Sequence, residues 1–350
     1  MLDYLVDLFA QAQQWLFESA VQPLMFALGM GSVMEDGFEG TGWLLVGLLQ
    51  IVVIVCVLVP LQRARPVEAV TDKATIRTDI LYTLVHRLGL FRVVLFLSVD
   101  PLFDMVFGAL RQQGVSGLHL DQALGISGHP LLSFVAYLVV LDFIAYWIHR
   151  GQHQFHWWWQ LHSLHHAQRQ MTVWSDNRNH LLDDLIVDGL LVLAAQAIGV
   201  APGQFVAFVA FTQLSESFQH ANIKLWFGSI GERLWVSPRF HRLHHAIGIG
   251  HEFAPATKEA TSADRPPLGP KAPMGGSAAH AVASVRATTV LGGHNFGVLL
   301  PWWDSLFGTA NYEKRFDATG VRDQVEQGRD YGRGFWSQQW QGVKRLVGRA

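Results

Sequence analysis

The chain has 350 residues, of which 50% are hydrophobic and only 15% are charged. Globular proteins are usually about one quarter charged, so this composition and a mean hydropathy of +0.21 indicate a membrane protein rather than a water-soluble one. A formal charge of -2 offers no basic surface to nucleic acid, and the single cysteine, Cys56, excludes a disulfide framework, a cysteine-ligated zinc site and an iron–sulfur cluster within the chain.

Residues 1–42 are predicted to form an N-terminal amphipathic, interfacial segment, because acidic and amide side chains alternate there with Leu, Phe and Trp. Residues 43–129 are predicted to contain the first membrane spans and their connections. The strongest of these spans is the uncharged run 43–60. Arg63 and Arg65 follow it directly, which places that end of the span in the cytoplasm by the positive-inside rule.

Residues 88–110 are apolar but are interrupted by Asp100, Pro101 and Asp104. This pattern fits either a complete crossing of the bilayer or a kinked pair of half-helices that enters it and returns.

A clearer span is predicted over residues 130–148, and it ends directly at His149. Residues 181–199 and 202–214 form an apolar pair around a Gly-Val-Ala-Pro-Gly turn. This pair predicts a helical hairpin whose two ends return to one side of the membrane.

Two later segments differ in composition from the apolar helices. Residues 254–291 are rich in Ala, Pro, Gly, Ser and Thr without helical or strand periodicity, which predicts a flexible insertion. Residues 311–350 carry several Arg and Lys residues and are predicted to form a cytoplasmic C-terminal tail. The chain is therefore expected to be all-α, a multi-pass membrane helical bundle.

Histidine is distributed very unevenly, with seven of the 17 residues between positions 149 and 180. His149 and His153 are four residues apart, so both rings lie on one face of a helix. Two His-x-x-His-His motifs follow, and each places three rings on one helical face. They consist of His162, His165 and His166, and of His241, His244 and His245.

These clusters predict a metal site with more than one ion. Neutral imidazole is the commonest metal ligand in proteins, and eight clustered rings exceed what one tetrahedral ion requires. Two neighbouring ions are therefore expected. His180 and His220 stand at the two ends of the apolar hairpin, and we expect them to complete the ligand shells.

The ordered set of His-x-x-x-His and two His-x-x-His-His motifs, with an apolar hairpin between them, resembles the fatty acid hydroxylase and sterol desaturase superfamily. Asn295-Phe-Gly and the Trp-Asp-Ser-Leu-Phe-Gly-Thr segment that begins at Trp303 extend the similarity. The resemblance covers residues 130–310, which form the predicted catalytic domain. Members are integral-membrane di-iron oxygenases, so it implies a helical bundle with a histidine-lined di-metal site on the cytoplasmic side.

The resemblance also implies the chemistry, since imidazole alone does not distinguish iron from zinc, copper or nickel. With two iron ions and O2 as co-substrate, the enzyme would hydroxylate a C–H bond of a lipid such as a sterol, hopanoid, fatty acyl chain or terpenoid. Desaturation of the lipid is the alternative, and hydroxylation is favoured. The implied iron ligands are His149, His153, His162, His165, His166, His180, His220, His241, His244 and His245.

The expected partners follow from what the chain lacks. Its sequence has no Gly-rich dinucleotide motif and no evident haem module, so a separate electron-transfer protein such as a ferredoxin, cytochrome or reductase must supply electrons. The lipid bilayer supplies the substrate. The expected location is a bacterial inner membrane or an ER-like membrane.

Three polar residues are candidates for orienting the histidine rings through hydrogen bonds. Glu216 stands four residues before His220, where some relatives have another histidine. It is expected to be a carboxylate ligand, a hydrogen-bond partner of a ring N–H group or a charge on the helix surface, and the partner role is favoured. Asp142 lies two helical turns before His149 on the same face and is either another such partner or a polar residue buried in the bundle. Asn295 belongs to the motif after the last histidine cluster.

Two other classes of protein are alternatives: a histidine-rich metal transporter or sensor, and an inactive scaffold. A histidine-rich metal transporter or sensor would carry its ligands near the middle of the membrane on broken helices, whereas these clusters lie at the ends of predicted spans. An inactive scaffold would be expected to lack part of the histidine set, which is complete here.

Overall fold

The computed structural model describes residues 2–91, 93, 100–114, 117–247 and 293–349. Over these ranges every regular element is a helix, and the one bridge between extended residues joins Ala246 to Thr319. The predicted all-α class is thus confirmed for the part of the chain that the structure describes. The predicted insertion 254–291 lies outside the described residues, as do residues 94–99 of the interrupted apolar segment.

The N-terminal quarter of the chain forms nearly continuous helix. The helices are α1 (Leu2–Leu16), α2 (Gln22–Ala27), α3 (Met34–Val53) and α4 (Val59–Ala64), with wider helical turns at Phe17–Val21 and Ile54–Leu58. From Gly31 to Ala64 the helix is long and apolar enough to cross a membrane. The predicted span 43–60 lies inside it, and the predicted boundary at residue 43 falls within α3.

A second group of helices leads to the histidine clusters. They are α5 (Lys73–Arg87), α6 (Asp100–Gln112), α7 (Leu120–Ala123), α8 (Pro130–Gln154) and α9 (His156–His166). Pro130 occupies the first turn of α8, where its missing N–H costs no hydrogen bond. Helix α8 is the second described helix that is long and apolar enough to span a membrane.

The predicted apolar hairpin is present as α10 (Leu181–Ala197) and α11 (Pro202–Gln219). Gly199 supplies the positive φ of 75° that the turn between them requires. The remaining helices are short: α12 (Gly228–Leu234), α13 (Pro238–His244), α14 (Trp302–Leu306), α15 (Arg322–Glu326) and α16 (Phe335–Leu346). The predicted tail 311–350 is therefore folded, and α16 packs along α9.

The apolar core lies between α8, the hairpin and the segment before α14. Leu141, Phe208 and Leu299 are almost completely buried there. A smaller core joins the end of the first long helix, at Ile54 and Leu58, to the loop after α11. Burying aliphatic and aromatic side chains on both sides fixes the helix ends relative to one another.

The turn of the hairpin marks one end of the bundle. Leu118 N donates to the Ala197 carbonyl at 3.0 Å, and the Tyr137 hydroxyl donates to the Gly199 carbonyl at 3.0 Å. The segment after residue 117 and the beginning of α8 therefore lie at the turn of the hairpin.

The opposite end of the bundle carries the histidines. Lys224 N donates to the Arg65 carbonyl at 2.8 Å, so the first long helix ends at the same level as the loop that follows His220. Arg87 bonds Ser217, one turn before His220, at 3.0 Å. Since Leu118 lies at the hairpin turn, the chain passes from the histidine end to the other end between Arg87 and Leu118.

Candidate metal centre

Nine of the ten histidines selected from the sequence converge in two buried groups. In each group the candidate ligand atoms all lie within 4.8 Å of one another. Histidine group 1 contains His149, His153, His162, His166 and His244, and histidine group 2 contains His165, His220, His241 and His245. The two groups adjoin, because the rings of His166 and His245 stack with centroids 4.3 Å apart.

Each His-x-x-His-His motif contributes to both groups. In the first motif His162 and His166 enter group 1 while His165 enters group 2, and in the second motif the distribution is reversed. Residues at i and i+4 share a helical face, whereas i+3 is displaced toward the neighbouring face. The shared spacing therefore holds two sites side by side rather than enclosing one.

The helix that carries the second motif, α13, has only 7 residues and ends at His244, so it needs outside support. Ser237 caps α13 by accepting from Phe240 N at 3.1 Å. Arg239 reaches Glu232 at 2.6 Å, and Arg242 reaches Glu68 at 2.7 Å. These ion pairs occupy the faces of α13 that do not carry histidine, which leaves the histidine face turned to α8 and α9.

In group 1, oxygen atoms hold the outer ring nitrogens. The Nδ1 atoms lie 2.9 Å from the Phe296 carbonyl for His149, 3.0 Å from Asp183 Oδ2 for His162 and 2.8 Å from the His294 carbonyl for His244. Because each of these acceptors requires an N–H donor, the proton lies on Nδ1 and Nε2 carries a lone pair.

Three inner nitrogens of group 1 lack a hydrogen-bond partner in the protein. The Nε2 atoms of His162, His166 and His244 are buried and make no hydrogen bond. Buried polar atoms almost always have a partner, since leaving one unsatisfied costs about 1–3 kcal/mol. Three such lone pairs facing one volume are the donor set that a cation requires.

In group 2 the Nε2 atoms approach one another directly. His220 Nδ1 lies 2.8 Å from the Glu216 carbonyl, so Nε2 of that ring carries the lone pair. It lies 3.2 Å from His165 Nε2 and 3.1 Å from His241 Nε2. His241 Nε2 is in turn 3.1 Å from His245 Nε2. Four ring nitrogens thus meet around one point.

This geometry fits one metal ion per group. A metal–imidazole distance of about 2.1 Å, as found for zinc, places opposite ligand atoms about 4.2 Å apart and adjacent ones about 3 Å apart. The spacings of 3.1–3.2 Å and the limit of 4.8 Å within each group agree with such a ligand sphere. The donor set is nitrogen only, which suits iron, zinc, copper or nickel rather than calcium or magnesium.

The environment keeps the rings neutral. Burial, followed by the neighbouring imidazoles, lowers the pKa of His165, His166, His241, His244 and His245 well below the usual value. Burial also lowers the pKa of His220. Neutral imidazole is the form that binds a metal, so these rings are ready to coordinate at neutral pH.

The loop His294-Asn295-Phe296 supplies two of the carbonyls that hold group 1. Asn295 lies between them with a positive φ of 61°. Its side chain donates to the Phe240 carbonyl at 2.9 Å and accepts from Asn311 N at 2.6 Å. Asn295 thus contacts no histidine ring and instead fixes the backbone that orients two of them.

Asp142 also supports this loop rather than a ring. Its carboxylate accepts from Leu299 N at 2.8 Å, Leu300 N at 3.1 Å and Trp303 Nε1 at 2.9 Å. Asp304 completes the arrangement by accepting from Phe296 N at 2.8 Å. The expectation that Asp142 directly orients a histidine differs from the structure, because its oxygens are already occupied by donors from the loop.

The expectation for Glu216 needs a similar correction. The group that accepts from His220 Nδ1 is the backbone carbonyl of Glu216, not its carboxylate. A C=O four residues earlier in a helix is present whatever the side chain, so the sequence could not assign this role to glutamate in particular.

His180 does not join either histidine group. Its Nδ1 accepts from Leu182 N at 3.2 Å, which caps α10, and its Nε2 lies 2.9 Å from the Gln339 carbonyl. Both ring nitrogens are thus used by the protein, and the expected ligand role differs from the structure. His180 instead joins the start of α10 to α16.

Sequence reasoning missed Asp183, a carboxylate that bonds a histidine ring of group 1. Besides His162, it accepts from Gln152 Nε2 at 2.8 Å and Trp158 Nε1 at 2.7 Å, and it is almost completely buried. The available signal was an acidic pair, Asp183 and Asp184, in the first turn of a largely apolar helix. An acidic first turn is also expected from the helix dipole, which hid its second role.

Comparisons with known proteins agree with the site. Residues 134–260 match the fatty acid hydroxylase family. The chain is 26% identical over 195 residues to the ornithine lipid hydroxylase OlsE of Rhizobium tropici, which is 55% of this chain and 57% of that protein. It is 25% identical over 185 residues to methylsterol monooxygenase 1-3 of Arabidopsis thaliana, 51% of this chain and 61% of that protein.

A shorter match reaches a third relative. The chain is 27% identical over 105 residues, 30% of its length, to the alkylglycerol monooxygenase of Caenorhabditis elegans, of which the match covers 20%. In each case the match spans less than two thirds of the relative. No solved structure matches the chain.

Proposed function

Since the chain belongs to the fatty acid hydroxylase superfamily, we propose that it is a membrane-bound, O2-dependent lipid hydroxylase that holds two iron ions in the two histidine groups. The observation that carries the proposal is that nine buried imidazoles converge in two adjoining groups, within which the ligand atoms are close enough together to bind one metal ion. The related proteins bear the names of hydroxylases and monooxygenases of ornithine lipid, methylsterol and alkylglycerol.

The choice of iron rests on the family, since the donor atoms alone admit other metals. In this family a pair of ferrous ions reduces O2 and supplies an oxidant strong enough for an unactivated C–H bond. His149, His153, His162, His166 and His244 would hold one ion, and His165, His220, His241 and His245 the other.

The chain prepares its rings for this task by fixing protons on their outer nitrogens. Hydrogen bonds from Nδ1 to Phe296 O, Asp183 and His294 O hold three rings of group 1 in a single tautomer. The Glu216 carbonyl does the same for His220 in group 2. Outer partners of this kind hold ring orientation and raise ligand basicity.

The site is also built to exclude water. The Phe296 ring lies 5.2 Å from that of His153, 5.7 Å from that of His244 and 6.0 Å from that of His149, and Phe296 is almost completely buried. This packing closes group 1 against solvent. A dry site prevents a reactive oxidant from being lost to water before it meets the substrate.

We further propose that the protein crosses the membrane several times and that the histidine end faces the cytoplasm. Two helices are long and apolar enough to span, and the chain passes between the two ends of the bundle again before α8. Many of the large apolar residues in the first long helix are exposed, which is stable in lipid rather than in water. Arg63 and Arg65 follow that helix on the histidine side.

An aromatic surface on α8 and α14 offers a route for a lipid chain. Trp147 and Phe307 lie 4.9 Å apart and are both exposed. Phe307 stacks on Tyr146 at 5.5 Å, and Tyr146 lies 6.3 Å from Phe296, the residue that covers group 1. A hydrocarbon chain on the exposed Trp147 and Phe307 would be separated from the metal ligands by the buried rings of Tyr146 and Phe296, which would have to move to admit it.

Electrons must come from a separate protein in this proposal. The chain has one cysteine, exposed Cys56, so it cannot ligate an iron–sulfur cluster of its own. A ferredoxin, a cytochrome or a reductase would deliver the electrons at the cytoplasmic end.

The proposal is tested by comparing the lipids of cells that express the chain with those of cells that express a His165→Ala, His244→Ala double variant. Under labelled O2, the active chain should yield a lipid that is heavier by one labelled oxygen atom and absent from the variant cells. The purified active protein should contain close to two irons per chain.

Other results would separate the alternatives. A lipid lighter by two hydrogens would identify a desaturase instead. Bound metal without any change in lipids would favour the transporter or sensor. Full iron content and full product formation in the double variant would overturn the ligand assignment.

A further inference from the structure

Helix α16 buries three long polar side chains and exposes two tryptophans, although its first residue, Phe335, is also buried. Gln338, Gln339 and Arg345 face the protein with exposures of 6%, 8% and 2%. Trp336 and Trp340, by contrast, are 77% and 60% exposed. Surface helices in water have the opposite arrangement, so the outward face of α16 is suited to an apolar environment.

The outward apolar residues form one stripe. Trp336, Trp340 and Val347 are separated by four and seven residues, which places all three on one side of a helix. Val347, just after the helix, is 58% exposed. Ser337 is exposed too but points about 100° away from Trp336, toward a different side.

Most of the charges around the stripe are basic, and the acidic exception is Asp330, which accepts from Gln341 Nε2 at 3.1 Å. Residues 331–350 contain Arg333, Lys344, Arg345 and Arg349 and no acidic residue. Arg345 is buried, but Arg333 and Arg349 are exposed. The ammonium group of Lys344 lies over the Trp340 ring at 6.0 Å from its centroid. Trp residues beside Lys and Arg are typical of helices that lie in the interface of an anionic bilayer.

The position of α16 in the fold agrees with that depth. Hydrogen bonds of Gln339 hold the helix against the beginning of α10, the first helix of the apolar hairpin. The Gln339 carbonyl lies 2.9 Å from His180 Nε2, and its side-chain oxygen accepts from Leu181 N at 2.8 Å. At Gly342 the backbone passes so close to the His180 ring that a methyl group would collide with it. Helix α16 thus lies at the level where the apolar hairpin begins.

We propose that α16 is an interfacial helix, with Trp336, Trp340 and Val347 inserted at the boundary between the headgroups and the acyl chains of an anionic bilayer. The inference rests on the membrane placement proposed above. It adds a lipid-binding role to the predicted cytoplasmic C-terminal tail, residues 311–350. Because α16 packs along α9, which carries His162, His165 and His166, the contact fixes the metal-binding helix relative to the membrane surface.

The test measures the depth of nitroxide labels in the full-length iron-loaded protein. The protein is placed in nanodiscs of equal parts phosphatidylglycerol and phosphatidylcholine. Single cysteines are introduced by Trp336→Cys, Trp340→Cys, Val347→Cys and Ser337→Cys in a Cys56→Ala background. Labels on the stripe should collide several-fold more with oxygen than with a water-soluble nickel chelate, whereas the label at position 337 should show the reverse. Iron content equal to that of the unmodified chain verifies that each variant is folded.

The native cysteine provides the internal control. Cys56 is exposed on the first long helix, so a label there should be oxygen-rich if that helix spans the bilayer. Oxygen-rich collisions at Cys56 with nickel-rich collisions on the stripe would overturn the interfacial helix alone. Stripe labels that are shielded from both reagents would also overturn it, since they would indicate a protein partner. A nickel-rich label at Cys56 would overturn the membrane placement itself.

Discussion

His162 and Asp183 lie 21 residues apart in the chain, yet Nδ1 of the ring and Oδ2 of the carboxylate are 3.0 Å apart at the centre of the fold. The contact joins the helix of the first His-x-x-His-His motif to the first turn of the apolar hairpin. Asp183 also accepts hydrogen bonds from the side chains of Gln152 and Trp158, so one buried carboxylate connects α8, α9 and α10. The position of the ring in group 1 therefore depends on a residue outside every histidine motif.

Replacing Asp183 with asparagine should weaken metal binding in group 1 by about 10–100-fold, the usual cost of losing such an outer partner. The amide would present an N–H group where one of three donors now points. The measurement is competitive metal titration of the purified protein. Asp184→Asn is the matched control, because Asp184 pairs with His86 at 3.3 Å and not with a ring of either group. Equal affinities in the two variants would contradict the role given to Asp183.

The two histidine groups should lose metal independently. His244→Ala removes a ring from group 1 only and His165→Ala removes one from group 2 only, so each variant should retain close to one ion of the two. Elemental analysis of the purified variants checks this. His180→Ala should retain both ions, because its ring nitrogens bond Leu182 N and the Gln339 carbonyl. Loss of metal in His180→Ala would restore that residue as a ligand.

The spacing of the histidines predicted most of the site because it reflects local geometry. An i, i+4 pair faces one way on any helix, so eight of the ten rings could be found without knowing how the helices pack. His220 has no such partner; it was selected for its place at the end of the apolar hairpin, and it joins group 2. His180 carries no such partner and was selected for its place at the end of an apolar helix, a place that a helix cap occupies equally well. The division of each motif between two groups depends on how α8, α9 and α13 meet, which spacing does not contain.

The oxygen atoms that hold the rings were harder to predict. Three of them are backbone carbonyls, those of Glu216, His294 and Phe296, and every residue has one. Asp142 and Asn295 were expected to orient histidine rings, but their side chains bond the backbone of the loop instead. Their partners are fixed by tertiary contacts between segments that are distant in sequence.

The positive φ at Asn295 should make alanine at this position less stable than glycine. Asn295→Ala removes the bonds to Phe240 and Asn311 and also places an alanine at a φ of 61°, while Asn295→Gly removes only the bonds. The left-handed conformation costs a residue with a Cβ about 1–2 kcal/mol, so the alanine variant should be less stable than the glycine variant by about that amount. Denaturant unfolding of the two proteins in detergent provides the comparison. Equal stabilities would mean that the loop adapts to the substitution.

Deleting residues 256–288 should leave the metal content largely unchanged. Both described ends of this region are held independently of it, since Ile247 N bonds the Ala318 carbonyl at 3.0 Å and Asn295 N bonds the Thr309 carbonyl at 3.0 Å. Metal analysis of the purified deletion variant tests the prediction. Loss of metal would indicate that the region contributes to the site.

The metal-free protein should lose stability as the pH falls below about 6.5, the ordinary pKa of histidine. Burial and neighbouring rings lower the pKa of His165, His166, His241, His244 and His245 in the folded state, so the unfolded chain binds more protons in this range and acid favours unfolding. Each ring that stays neutral contributes a slope of about 1.4 kcal/mol per pH unit below that point, and none above it. The free energy of unfolding, measured from about pH 8 down to about pH 5, should therefore stay constant at first and then fall steeply. His244→Gln removes one such ring, so the unfolded chain should gain about one proton fewer and the steep slope should fall by about 1.4 kcal/mol per pH unit. A stability that stays constant through this range would mean that the rings titrate normally and that the two groups are not the closed, neutral clusters described here.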